Sequence, residues 1–96
     1  MEWLDEVPKK NDSFLTRVIN GEAVAVSLED ITTGDKEEVI VFNETATRIW
    51  DLIDGKNSIV DIVKKLNKGY DTEYKTINME VKRILMFLHK KKLIRF

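Results

Sequence analysis

The chain has 96 residues, of which 43% are hydrophobic and 34% charged, with a formal net charge of −1 and no cysteine. That length holds one small domain hiding about 60% of its unfolded surface, so no second core fits. Disulfides, thiolate metal sites and cysteine nucleophiles are excluded, and no global positive field draws the protein to nucleic acid or to an anionic membrane.

The start, Met1-Glu2-Trp3-Leu4-Asp5, lacks the basic and apolar runs of a signal peptide. No apolar stretch approaches the roughly 20 residues of a membrane helix, so a cytoplasmic location and no membrane partner are expected. Residues 1–13 read as a partly ordered N-terminal arm, with Pro8 followed by a polar run from Lys9 to Ser13. Trp3 and Leu4 are apolar enough to dock on the body or on a partner.

The body, residues 14–96, begins with a hairpin. Phe14 to Ile19 and Glu22 to Leu28 are apolar runs separated by Asn20-Gly21. Both turn residues tolerate the positive φ of a type I′ turn, which makes this the strongest short-range hairpin signal. Glu29 to Lys36 is turn-rich and allows a reversal that brings Glu37 to Phe42 alongside the second strand. Val39-Ile40-Val41-Phe42 has the β-branched and aromatic composition of a strand. In a simple meander this third strand is an edge, whose unpaired amides and carbonyls must be charged or covered. Glu37 and Glu38 charge its start, but Val39 to Phe42 carry no charge. Either a helix or a partner covers it.

Three helices follow. Asn43 can cap the first, with Glu44 at its positive end. Ala46, Ile49, Trp50 and Ile53 form its apolar stripe, and Asp54-Gly55 supplies a residue able to end it with positive φ. Ser58 and Asp61 give a capping-box-like start to the second helix. Ile59, Ile62, Val63 and Leu66 are its buried stripe, and Gly69 ends it. The third helix is expected from about Glu73 to Lys91, about 28 Å long. Tyr74, Ile77, Val81, Ile84, Leu85 and Leu88 form its core face. Met86 and Phe87 fall off that stripe and should be at least partly exposed, which suits a peptide-binding surface as well as extra packing or a dimer contact. Leu93 to Phe96 can pack back as a short extended piece.

The residues of catalysis are missing. His89 sits in a lysine-rich last turn without a second ligand at a recognised spacing, the setting of a helix-end cation. The four glycines, Gly21, Gly34, Gly55 and Gly69, are scattered at turns and helix ends, so there is no phosphate-binding loop. No spacing singles out a catalytic carboxylate pair. The chain reads as a binding module rather than an enzyme, with no cofactor and no metal.

The run Phe42-Asn43-Glu44-Thr45-Ala46-Thr47-Arg48-Ile49-Trp50 resembles the Leu-Asn-x-Thr-Ala-x-x-Ile-Trp run of the PqqD family, the recognition elements of ribosomally made, post-translationally modified peptides. Phe42 replaces the family's Leu. Asp54-Gly55 and Ser58 match its Asp-Gly and following Thr or Ser, and Val81, Leu85, Leu88 and Lys92-Leu93-Ile94 match its closing pattern, with Lys92 in place of the usual Gly. The resemblance spans about Phe14 to Ile94. It implies an α+β, winged helix-turn-helix-like fold in which a three-stranded antiparallel sheet is followed by three helices. It further implies non-catalytic binding of a precursor's leader peptide, added as a strand to the edge of the third strand beside the third helix. The complex is then presented to a modifying enzyme such as a radical-SAM maturase.

By that resemblance Glu38, Val39, Ile40, Val41 and Phe42 are expected to pair with the peptide, and Lys82, Leu85, Met86 and His89 to contact its side chains. Two other readings stand beside it. One is nucleic-acid binding through the second and third helices, against which the net charge of −1 weighs. The other is a homodimer formed through the edge strand.

Overall fold

The computed structural model describes residues 3–28, 39–69 and 73–96. Within them the chain runs through a 3-10 turn at Trp3–Asp5, then β1 (Lys9–Lys10), β2 (Phe14–Ile19), β3 (Glu22–Ser27) and β4 (Val39–Val41). After these come α1 (Glu44–Leu52), α2 (Ile59–Lys68), α3 (Tyr74–Lys90) and β5 (Ile94–Arg95).

Asn20 and Gly21 join β2 to β3 with φ of 54° and 82°, the positive values a type I′ turn needs. β3 pairs with β4 on its other side, so the sheet is the expected antiparallel meander in the order β2-β3-β4. Alternation sets the faces of the sheet. Ala23 and Ala25 of β3 and Ile40 of β4 are buried toward the helices, while Val39 and Val41 point away from them and are exposed. β4 is shorter than the Glu37–Phe42 strand expected. Glu37 and Glu38 lie outside the described residues, and Phe42 has left the strand although its amide still donates to the carbonyl of Ala23 at 2.8 Å.

α1 opens as its sequence dictates. The Asn43 side chain accepts from the amide of Ala46 at 2.8 Å. One turn on, the buried Thr47 hydroxyl donates to the Asn43 carbonyl and accepts from the amide of Ala23, both at 2.9 Å. That single hydroxyl ties the start of the helix to β3. α1 stops at Leu52, earlier than Gly55, because Ile53 turns extended. Gly55, at φ 79°, instead shapes the following turn, in which the Asp54 carboxylate accepts from the amides of Asn57 and Lys56 at 2.8 and 2.9 Å.

The second helix carries the full reciprocal capping box between Ser58 and Asp61. α3 ends in a Schellman arrangement: the amide of Lys92 donates to the His89 carbonyl and that of Leu93 to the Leu88 carbonyl. This geometry places Lys92 at φ 66°. The family pattern carries glycine at this position, and a side chain there is held in a left-handed conformation that costs about 1 kcal/mol.

The apolar stripes of all three helices meet the inner face of the sheet in one core, with Ile49, Ile59, Ile62, Val63, Val81 and Leu85 fully buried. Trp50 packs edge-on against Phe42 with ring centroids 5.4 Å apart, and the ammonium of Lys10 covers it at 4.8 Å. Tyr74, expected on the core face, is 44% exposed in the first turn of α3.

The arm and the tail close on each other. β1 pairs antiparallel with β5, and the amide of Asn11 donates to the carbonyl of Leu93. Trp3 and Leu4 pack against the core, and Ile59 donates to the carbonyl of Glu6. Both ends of the chain are thus engaged away from β4.

Candidate functional site

The main chain of β4 decides what its outer side offers. Phe42 donates to Ala23, and Ala25 stands opposite Ile40, so the even-numbered residues turn their amides and carbonyls toward β3. The groups of Val39 and Val41 therefore point to the open side. Among the described residues no strand occupies that side. The terminal ribbon of β1 and β5 forms a separate sheet and does not seal it.

Beside this edge lies a groove of ≈ 200 Å³ lined by Val41, Phe42, Asn43 and Ala46 and, from α3, by Arg83, Ile84, Phe87 and Leu88. The small side chain of Ala46 leaves room that a larger residue would fill. Phe87 stands 44% exposed as its outer wall. Glu80 accepts from Arg83 at 2.8 Å. That hydrogen bond holds the Glu80 carboxyl below its usual range and pushes the Arg83 guanidinium higher still, so the rim carries an ion pair with both partners charged. The volume suits an apolar side chain, falling below the roughly 300 Å³ at which cofactor pockets begin.

The expected site residues divide. Val39 and Val41 lie on the open edge, while Ile40 and Phe42 belong to the same segment but bury their side chains inward. Glu38 lies outside the described residues. On α3 none of the expected residues lines this groove. Lys82, Met86 and His89 line a different groove, together with Trp3, Phe87, Lys90 and Phe96, and Leu85 is fully buried in the core. Successive helix residues turn by about 100°, so Lys82 and Arg83 open onto different faces. The packing of α3 against the sheet brings Arg83 and Phe87 to the groove beside β4. Their sequence signal was partial: Phe87 stands off the core stripe, but nothing local says on which side the sheet lies. Asn43 and Ala46 line the groove from within the recognised run, where one caps the helix and the other is merely small.

Among the described residues, no group of three or more His, Asp or Glu is placed to hold a metal ion, and no helix is long and apolar enough to cross a membrane.

Comparison with curated proteins finds no match. Among solved structures the chain is similar to TbiB1 in complex with the TbiA(beta) leader peptide, at 23% identity and a TM-score of 0.76, with 91% of this chain and 94% of that chain covered. The α+β order of three strands and three helices is shared across that span. The sequence profile of the family described as coenzyme PQQ synthesis protein D matches residues 22–94, which takes in β3, the uncovered β4 edge, all three helices and the Lys92 turn. With three-quarters of its length inside that profile, the chain belongs to the PqqD family.

Proposed function

We propose that this protein binds the leader segment of a ribosomally made precursor peptide, without chemistry of its own, and presents it to a modifying enzyme of the radical-SAM or a similar class. The observation that carries the proposal is the pairing of an open β4 edge with an apolar groove directly beside it. TbiB1, whose fold this chain shares, is seen with a leader peptide.

Val39 and Val41 together offer two amides and two carbonyls. Four main-chain hydrogen bonds are worth about 4 kcal/mol net. Association and ordering of a flexible peptide cost about as much or more. Backbone pairing alone therefore leaves little affinity. A bulky apolar side chain entering the groove between Val41, Ala46 and Phe87 adds about 1.5–3 kcal/mol and supplies the selectivity. The peptide is held by its backbone and chosen by its anchors, while its remainder stays accessible to the enzyme. A cytoplasmic setting fits a cysteine-free chain working on newly made peptides.

The test is a fluorescence-anisotropy titration with labelled leader segments taken from the short reading frames beside the gene. Saturable binding to the wild type, lost in Val41→Pro, is the expected result. Binding that survives this substitution refutes edge pairing. Concentration-dependent doubling of mass in light scattering, abolished by the same substitution, would instead give the edge to a second copy of the chain.

A further inference from the structure

The sheet has a second apolar side, the one turned away from the helices. Residues opposite each other in adjacent strands share a face, so the register puts Leu15, Val26 and Val39 in one outer row. Arg17, Val24 and Val41 form the next row, and Ile19 and Glu22 begin a third. Leu15, Ile19, Val39 and Val41 are each more than half exposed, so among the described residues no layer covers this face. A contiguous patch of this kind marks a surface that another molecule covers.

A second copy of the chain fits it poorly. In an aligned packing of two such faces, a two-fold axis along β3 sets Glu22 over Glu22, and one across the strands at Val24 sets Arg17 over Arg17. Either arrangement buries like charges against each other. The face is also small, about 20 Å along β2 and β3 and about 10 Å across the strands. That falls well below the roughly 800 Å² per partner of a stable interface and suits a transient contact. Arg17 makes no ion pair among the described residues, so the complementary surface is apolar and carries a carboxylate.

The face runs without a break into the peptide edge. Val39 and Val41 give their main-chain groups to that edge and their side chains to the outer face. A leader strand paired there widens the sheet by about 4.8 Å and sets every second side chain of its own beside those two valines. Resting on the leader-binding reading, we propose that this outer face, completed by the leader strand, is where the modifying enzyme docks. The enzyme then reads the protein and alternate leader side chains as one surface. By linkage, leader and enzyme strengthen each other's binding by the same factor.

The probe is the modifying enzyme encoded beside the precursor's reading frame, immobilised for interferometry and titrated with the whole chain, with and without saturating leader. Leader should tighten the wild-type contact about fivefold or more. Leu15→Lys/Ile19→Lys adds two charges to the face on the strand farthest from β4 and should weaken enzyme binding about tenfold. Arg17→Glu should weaken it about fivefold. Leader affinity of both variants, read by anisotropy, should stay within about twofold of the wild type, which also shows that they fold. Enzyme binding that is absent, indifferent to leader, or equal in all three proteins overturns the proposal. So does a doubling of mass in light scattering that the lysine pair abolishes, since a second copy then covers the face. Failure of edge pairing reads out elsewhere: leader affinity then survives Val41→Pro.

Discussion

β2 and β4 are the two edges of one sheet, and each turns a row of main-chain groups outward. The two-residue turn pairs Ile19 with Glu22, and Leu28 donates to Ser13, so on β2 the outward groups belong to Phe14, Thr16 and Val18. As a hydrogen-bonding template β2 is the longer of the two. What differs is the ground beside each edge. The hollow near β2 is lined by Val18, Asn20, Gly21, Glu22, Glu44, Thr47, Arg48 and Asp51, three of them carboxylates. An apolar side chain arriving there would strip water from charged groups. Beside β4 it meets Val41, Ala46, Ile84 and Phe87. Backbone donors are common to every edge, and the neighbouring side chains decide which edge a peptide can use.

Matched prolines test that difference most severely. Val41→Pro removes an outward amide and sets a ring where the partner strand must lie, costing about 3 kcal/mol of peptide binding, or roughly a hundredfold. Val18→Pro does the same to the β2 edge and should leave the affinity unchanged. Anisotropy titrations of both variants against one peptide check it, and equal losses would erase the distinction between the edges.

Thr47→Val comes next. It deletes the hydroxyl joining Asn43 to Ala23 beneath the sheet and strands a buried amide, so thermal or urea unfolding should show about 1–3 kcal/mol of lost stability. Phe87→Ala removes the outer wall of the groove beside β4, a side chain that also borders the neighbouring groove. Binding should fall about tenfold while the melting temperature changes little, because this ring is 44% exposed. Lys92→Gly relieves the left-handed residue after α3 and should raise stability by about 1 kcal/mol with no effect at either edge, as denaturant midpoints would show.

The smallest effect is acid dependence remote from both edges. The amides of Asn57 and Lys56 hold the Asp54 carboxyl below its usual range, and the amide and hydroxyl of Ser58 do the same for Asp61. Each folded value lies under the unfolded one. The stabilisation is therefore present above about pH 4 and is lost as pH falls through the folded values. Melting temperatures measured through that range should fall less steeply in the Asp54→Asn/Asp61→Asn variant than in the wild type.

What the sequence revealed was what local chemistry controls. Asn20-Gly21 set the hairpin, Asn43 and Ser58 capped their helices, and residues at spacings of three and four named most of the core. Tyr74 escaped the pattern because the first turn of a helix overhangs the core it enters. The tail read as a short extended piece, but its pairing with β1 was illegible, since strands of two residues show no periodicity. The flank of α3 was illegible for another reason. A helical stripe says which residues are buried, while the side facing β4 depends on how α3 docks, and it is Arg83 and Phe87 that line the groove there. The outward amides of β4 likewise depend on its register against β3, which no residue of β4 announces.

Hydrogen exchange of single edge amides, followed by NMR with and without a bound leader peptide, reaches the central claim most directly. Strong new protection at Val39 and Val41, with Thr16 and Val18 exchanging as before, is the predicted result. Protection on β2, or none on β4 at saturating peptide, would contradict strand addition at this edge.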